Sequence, residues 1–235
     1  MIDFEPRIRR VNERIRCACG RVHRDPSSVD IIAVTKTLPL EVVRKACALG
    51  FLYVGENRIQ ESIEKYEDGW IRREFPNVGL HLIGHLQSNK VRKAVQIFDS
   101  IDAVDSVELA QLIDRLSGEA GKKLRVLLEV NTSGEPQKYG FEPDEVLEAV
   151  ININKLDHIR LAGLMTIGPN VEDSDEIRKS FAQLRSLFES VGHQLKSDSW
   201  AVLSMGMSND FEIAIEEGAT EIRLGTILWG PRRLA

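Results

Sequence analysis

Short apolar runs alternate with amphipathic stretches along almost the whole chain. The runs occupy residues 31–35, 52–55, 80–84, 101–104, 126–130, 161–165, 200–204 and 222–225. They are continuous rather than alternating, which predicts strands covered on both faces, the pattern of a parallel sheet under helices. Between them, apolar residues recur with helical spacing, as in Leu40-Val43-Ala46-Cys47, Val107-Leu109-Leu112-Ile113-Leu116 and Ile177-Phe181-Leu184-Leu187-Phe188-Val191. Glycines at 50, 118, 192 and 218 stand where these patterns fade and read as helix stops. A further helix is predicted before the first strand, over residues 4–22.

Eight strand–helix units in succession predict a single (β/α)8 TIM-like barrel with an extra N-terminal helix, one domain over residues 1–235. A doubly wound open sheet is the alternative, disfavoured because no Gly-x-Gly-x-x-Gly follows the first strand. The length suits one large α/β domain. A formal net charge of −5 points away from nucleic acid and anionic membrane as partners. There is no long apolar run and no leader-like segment. Cys17, Cys19 and Cys47 are odd in number and fit no metal-site spacing, which implies reduced thiols. The expectation is a cytoplasmic monomer.

In such barrels chemistry sits at the C-terminal ends of the strands. The first run ends on Lys36, which places an amine at the mouth. Desolvation there lowers a lysine pKa and frees the amine to attack a carbonyl. The loops after the seventh and eighth runs, Ser204-Met205-Gly206-Met207-Ser208 and Gly225-Thr226, combine glycine with hydroxyl residues. Small residues let backbone N–H groups approach an anion, and barrels bind phosphate at this place. Ser208 or Asn209 is placed to cap the helix that follows, with Glu212 in its first turn. In a closed barrel the first and eighth strands are neighbours, so amine and phosphate site share one mouth. A phosphorylated aldehyde satisfies both, and pyridoxal 5'-phosphate is the common ligand of that description. Arg223 precedes Gly225 by two residues, shares its strand face, and can reach a pyridine nitrogen.

Other polar signals are weaker. His81 and His85 flank a strand rather than sharing a helix face, so they are not expected to share a metal, and no metal site is expected. His23, His158 and His193 fall at helix ends or loops and read as surface residues. Ser204 and Ser208 have no histidine placed by motif to activate them. Asp102 and Asp105 read as a strand-end turn rather than an acid/base dyad.

Several segments together resemble the pyridoxal-phosphate homeostasis proteins, the YggS/PROSC family. They are Ala33-Val34-Thr35-Lys36, Gly55-Glu56-Asn57-Arg58-Ile59-Gln60-Glu61, the stretch from His81 to Lys90, Leu161-Ala162-Gly163-Leu164-Met165, the stretch from Leu203 to Asp210, and Ile222-Arg223-Leu224-Gly225-Thr226. The resemblance implies a barrel like the N-terminal domain of alanine racemases, with the cofactor as a Schiff base on Lys36. It places Asn57 beside the ring on its Schiff-base side and Arg223 at the pyridine nitrogen. Ser204, Gly206, Met207, Ser208, Gly225 and Thr226 would hold the phosphate. It implies buffering of the cofactor and delivery to apo pyridoxal-phosphate enzymes, without established catalytic turnover. A racemase on the same cofactor is the rival. It needs a second base and a second β domain, and a chain ending at Ala235 leads us to expect that domain to be absent. A Schiff-base aldolase without cofactor is the third reading.

Overall fold

The computed structural model describes residues 3–231, residue 196 excepted. The chain begins with α1 (Glu5–Arg21), a helix with proline in its first turn, where a missing N–H costs nothing. Strands and helices then alternate. β1 (Asp30–Val34) leads to α2 (Leu40–Ala48), and β2 (Tyr53–Glu56) to α3 (Ile59–Tyr66) and α4 (Trp70–Glu74). β3 (Gly79–Leu82) precedes α5 (Val91–Ile97), β4 (Ser100–Val104) precedes α6 (Val107–Glu119), and β5 (Leu124–Glu129) precedes α7 (Val146–Ile153). β6 (Ile159–Met165) leads to α8 (Ser174–Leu195), β7 (Val202–Ser204) to α9 (Phe211–Glu216), and β8 (Glu221–Leu224) to α10 (Thr226–Trp229). Every neighbouring pair is parallel, and β8 returns to β1 with Asp30↔Glu221, Ile31↔Ile222, Ile32↔Arg223 and Ala33↔Leu224 in register. The expected (β/α)8 barrel with its additional N-terminal helix is therefore the fold.

The main core lies between barrel and helices and takes in Ala33, Val54, Leu80, Val126, Leu128 and Leu164 with the apolar stripes of the helices. Residues of the opposite strand face form two small clusters inside the barrel, one around Ile32, Val34 and Ile83, the other around Ala103, Leu127, Ala162 and Met165. The helix α1 packs on α9 and α10: Arg14 pairs with Glu212 at 2.7 Å, and Phe4 meets the Trp229 ring edge-on at 5.2 Å. No described helix is long and apolar enough to cross a membrane.

Gly192 is not a helix stop. The helix α8 runs through it to Leu195, and a β-carbon there would lie 3.1 Å from the Trp200 ring. Packing against that ring, not chain reversal, selects glycine. Gly50 and Gly218 do follow helix ends with positive φ. The strand limits also move by a residue or two, so that Glu56 lies inside β2 rather than beyond it.

Gly163 is where the barrel wall is tightest. The register between β5 and β6 slips from Val126↔Leu161 to Leu127↔Gly163, and Gly163 has φ +154°. A β-carbon there would lie 1.8 Å from the Val202 carbonyl oxygen of β7. Gly163→Ala is expected to destabilise the barrel by about 3 kcal/mol or more, read as a lower urea midpoint, because backbone must move. An unchanged midpoint would show that the wall adapts freely here.

Candidate functional site

The pairing of β1 with β8 brings Lys36 to the loop after β8. Lys36 is half-buried in the turn after β1 and lines one pocket with Val34, Leu38, Gly225, Thr226 and Trp229. The Trp229 indole N–H donates to the Val34 carbonyl at 3.0 Å, tying α10 to the end of β1. Gly225 has ordinary negative φ, and a β-carbon on it would meet Val34 at a comfortable 3.5 Å. Its ψ of −83° at φ −124° lies outside the usual α and β regions, so the backbone favours glycine, and the absent side chain also leaves the pocket open beside the lysine.

The loop after β7 meets the loop after β8 at Ser208. Its hydroxyl accepts from the N–H groups of Gly225 at 3.4 Å and Ile227 at 3.3 Å. Two backbone donors thus converge on one oxygen, an arrangement suited to an anion oxygen. Thr226 is exposed between them. Ser208 therefore does not cap α9, and neither does Asn209. Asp210 holds the N-cap position, and its carboxylate instead accepts from the Met207 N–H at 2.5 Å. That amide is committed within the loop, while the Met207 side chain is exposed. Gly206 turns the chain with φ +90°, where a β-carbon would strike Ala214 at 2.5 Å.

Arg223 points into the barrel and is buried. It donates to the Ser204 hydroxyl and to the Thr166 carbonyl, both at 2.7 Å. Thr166 is itself fixed, because its hydroxyl donates to the Val130 carbonyl at 2.8 Å. Burial draws the Arg223 pKa below its ordinary value, and the carboxylates of Asp102, Asp210 and Glu129 pull the other way. Asn57 follows β2 and lies against Gly84. Any β-carbon at Gly84 would sit 2.4 Å from the Asn57 carbonyl oxygen and 2.7 Å from its side chain. Gly84 thus makes room for Asn57 at the mouth.

The interior also holds charges that sequence reading passed over. Asp102 is not part of a strand-end turn. It lies inside β4, fully buried, and bonds His81 at 2.8 Å, while Asp105 follows the strand and bonds the exposed His85 at 2.9 Å. The His85 ring is stacked on Tyr139 with centroids 3.9 Å apart. Ligand atoms of His81, Asp102 and Glu221 lie within 4.8 Å of one another. Arg125, 2.5 Å from Glu221, already supplies a cation to that group. His23, His158 and His193 are exposed, as expected.

Glu129 ends β5, buried, with Arg223 as its cationic neighbour, and the only trace in the sequence is one carboxylate within an apolar run. Burial pushes its pKa up to about 7 from the usual 4.5, against the pull of Arg223. Between those pH values the folded protein keeps a proton that the unfolded chain has lost. Stability therefore falls as pH rises through this window and stays lower above it. Glu129→Gln is expected to match the parent in urea unfolding at pH 4 and to exceed it at pH 8 by up to about 3 kcal/mol. Equal stabilities at both pH values would remove the raised pKa.

The family model "Alanine racemase, N-terminal domain" matches residues 9–233. A pyridoxal phosphate homeostasis protein of Aquifex aeolicus is 38% identical, with 97% of each chain covered. The human protein of the same name is 38% identical, with 96% of this chain and 85% of that one covered. PipY of Synechococcus elongatus, solved with PLP bound, superposes with a TM-score of 0.79 at 38% identity, covering 94% of this chain and all of that one. With full-length similarity and a shared barrel, the chain belongs to the pyridoxal phosphate homeostasis proteins, a family built on the alanine racemase N-terminal domain.

Proposed function

We propose that this protein is an intracellular holder of pyridoxal 5'-phosphate, bound through a Schiff base on Lys36. The observation that carries the reading is the pocket in which Lys36 faces Gly225 and Thr226, with backbone N–H groups converging beside it. The residues suit the group: an amine, a cradle of donors for a dianion, and a buried guanidinium on the adjacent strand face. When bound, the cofactor would supply an aldehyde carbon for the Lys36 amine to condense with, one water leaving.

Gly225, Thr226 and Ser208 hold the phosphate, with Ser204, Gly206 and Met207 shaping the loop beneath it. The Ser208 hydroxyl, which accepts from the Gly225 and Ile227 N–H groups, would still have its own proton to donate toward a phosphate oxygen. Asn57 borders the ring on the Lys36 side. Arg223 meets the pyridine nitrogen. A guanidinium there keeps the nitrogen unprotonated and weakens the electron sink that carbanion chemistry requires. The protein accordingly stores and delivers the cofactor rather than turning over amino acids. It does so as a monomeric single-domain barrel in the cytoplasm, and the recipients are apo-enzymes that use pyridoxal phosphate. The relatives' names support a homeostasis role in the same sense.

Borohydride reduction of the loaded protein followed by peptide mapping should place the pyridoxyl group on Lys36, and Lys36→Ala should lose the yellow colour while keeping its fold. A group on another lysine with Lys36 unmodified contradicts the assignment. Rapid α-proton exchange of alanine in deuterated water, lost in Lys36→Ala, would restore the racemase.

The phosphate cradle has its own test. Charge-assisted hydrogen bonds are worth roughly 1.5–3 kcal/mol each, so Thr226→Val should weaken pyridoxal phosphate binding about tenfold or more. Unphosphorylated pyridoxal should bind far less well than the phosphate ester, measured by absorbance titration. Equal affinity for the two aldehydes removes the cradle.

A further inference from the structure

Lys36 sits on a strained turn. Thr37, immediately after it, has φ +62°, in the left-handed region that a β-branched residue rarely enters. Such a conformation persists only where surrounding contacts over-determine it. Those contacts come from the neighbouring β2–α3 unit. The Thr37 N–H donates to Glu61 Oε1 at 2.5 Å. Lys65 Nζ donates to the Thr35 carbonyl at 2.9 Å, to Glu61 Oε1 at 2.5 Å and to Glu56 Oε1 at 3.1 Å. Glu56 Oε1 also accepts from the Thr35 hydroxyl at 2.7 Å and the Tyr66 hydroxyl at 2.8 Å. Both residues flanking Lys36 are thus bonded to one charged cluster.

The cluster is buried where it matters. Glu56 is fully enclosed, and the Lys65 side chain is 11% exposed. A carboxylate so placed is costly unless it is paired and hydrogen-bonded, and it will not readily let its partners wander. Glu61 and Lys65 are four residues apart on α3, so one helix face delivers both charges. None of these side chains belongs to the cofactor cradle.

We infer that Glu56, Glu61 and Lys65 are positioning residues that clamp the Thr35–Thr37 turn and thereby aim the Lys36 amine at the bound aldehyde. The clamp acts on the rate of covalent attachment rather than on retention of the phosphate. It rests on Lys36 being the attachment point.

Glu61 is the most accessible member of the cluster, and its replacements leave the Glu56–Lys65 pair in place. Covalent attachment is followed by stopped-flow absorbance after mixing with pyridoxal phosphate. Retention is measured separately by calorimetry with pyridoxine phosphate, which carries an alcohol in place of the aldehyde. Glu61→Leu should slow attachment about tenfold or more, since small misplacements of a reacting group are expensive in rate. Its affinity for pyridoxine phosphate should stay within about twofold of the parent, because the cradle is untouched. Glu61→Gln keeps an oxygen for the Thr37 N–H and should react faster than Glu61→Leu. A parental rate in Glu61→Leu overturns the clamp. So does an equal loss of rate and of pyridoxine phosphate affinity, which marks a merely structural residue. Borohydride mapping of the unmutated protein separates the two readings. A group on a lysine other than Lys36 withdraws the attachment site itself, whereas a group on Lys36 with unslowed Glu61→Leu withdraws only the clamp.

Discussion

Closure of the barrel between β1 and β8 is the constraint on which the site depends. Lys36 and Gly225 are far apart in the chain and meet only because Ala33 pairs with Leu224. The hydrogen bond from Trp229 to the Val34 carbonyl locks that seam at the mouth, and Phe4 and Phe51 pack edge-on against the same indole. The N-terminal helix therefore has a physical task. It backs α10, whose first residue, Thr226, lines the pocket. A parallel barrel places all its strand ends at one rim, so closing the sheet and assembling the site are the same event.

The interior of the barrel carries several buried charges. At its N-terminal end, Asp102 bonds His81 and Glu221 pairs with Arg125. Nearer the mouth, Arg223 faces Glu129 and is held by Ser204 and Thr166. Buried charge pairs contribute little net stability, because desolvation offsets the attraction. What they supply is fixed orientation. Arg223 is held by an acceptor on β7 and another just after β6, and the Lys36 turn is held by hydrogen bonds from the β2–α3 side.

Much of this was legible in the sequence. Parallel strands buried on both faces write themselves as continuous apolar runs, so all eight could be found and the barrel inferred. That Lys36 would meet Gly225 and Thr226 could be anticipated, because they follow strands that are neighbours in a closed barrel. Glu56, Glu129 and Asp102 could not, because a carboxylate inside a strand reads as an edge, and only tertiary partners make its burial tolerable. Ser208 read as a cap for its own helix, since its true donors belong to the next loop in space. Gly192 looked like a stop because packing against an aromatic ring leaves the same mark in sequence as a chain reversal.

The central claim is that one pocket holds an aldehyde and its phosphate at once, through Lys36 on one side and the loop after β8 on the other. A crystal structure of the protein loaded with pyridoxal phosphate tests it most directly. The account predicts density continuous from Lys36 Nζ to the cofactor, with phosphate oxygens within hydrogen-bond reach of the Gly225 and Thr226 N–H groups. Cofactor bound elsewhere, or bound at this mouth with its phosphate turned away from that loop, would contradict it.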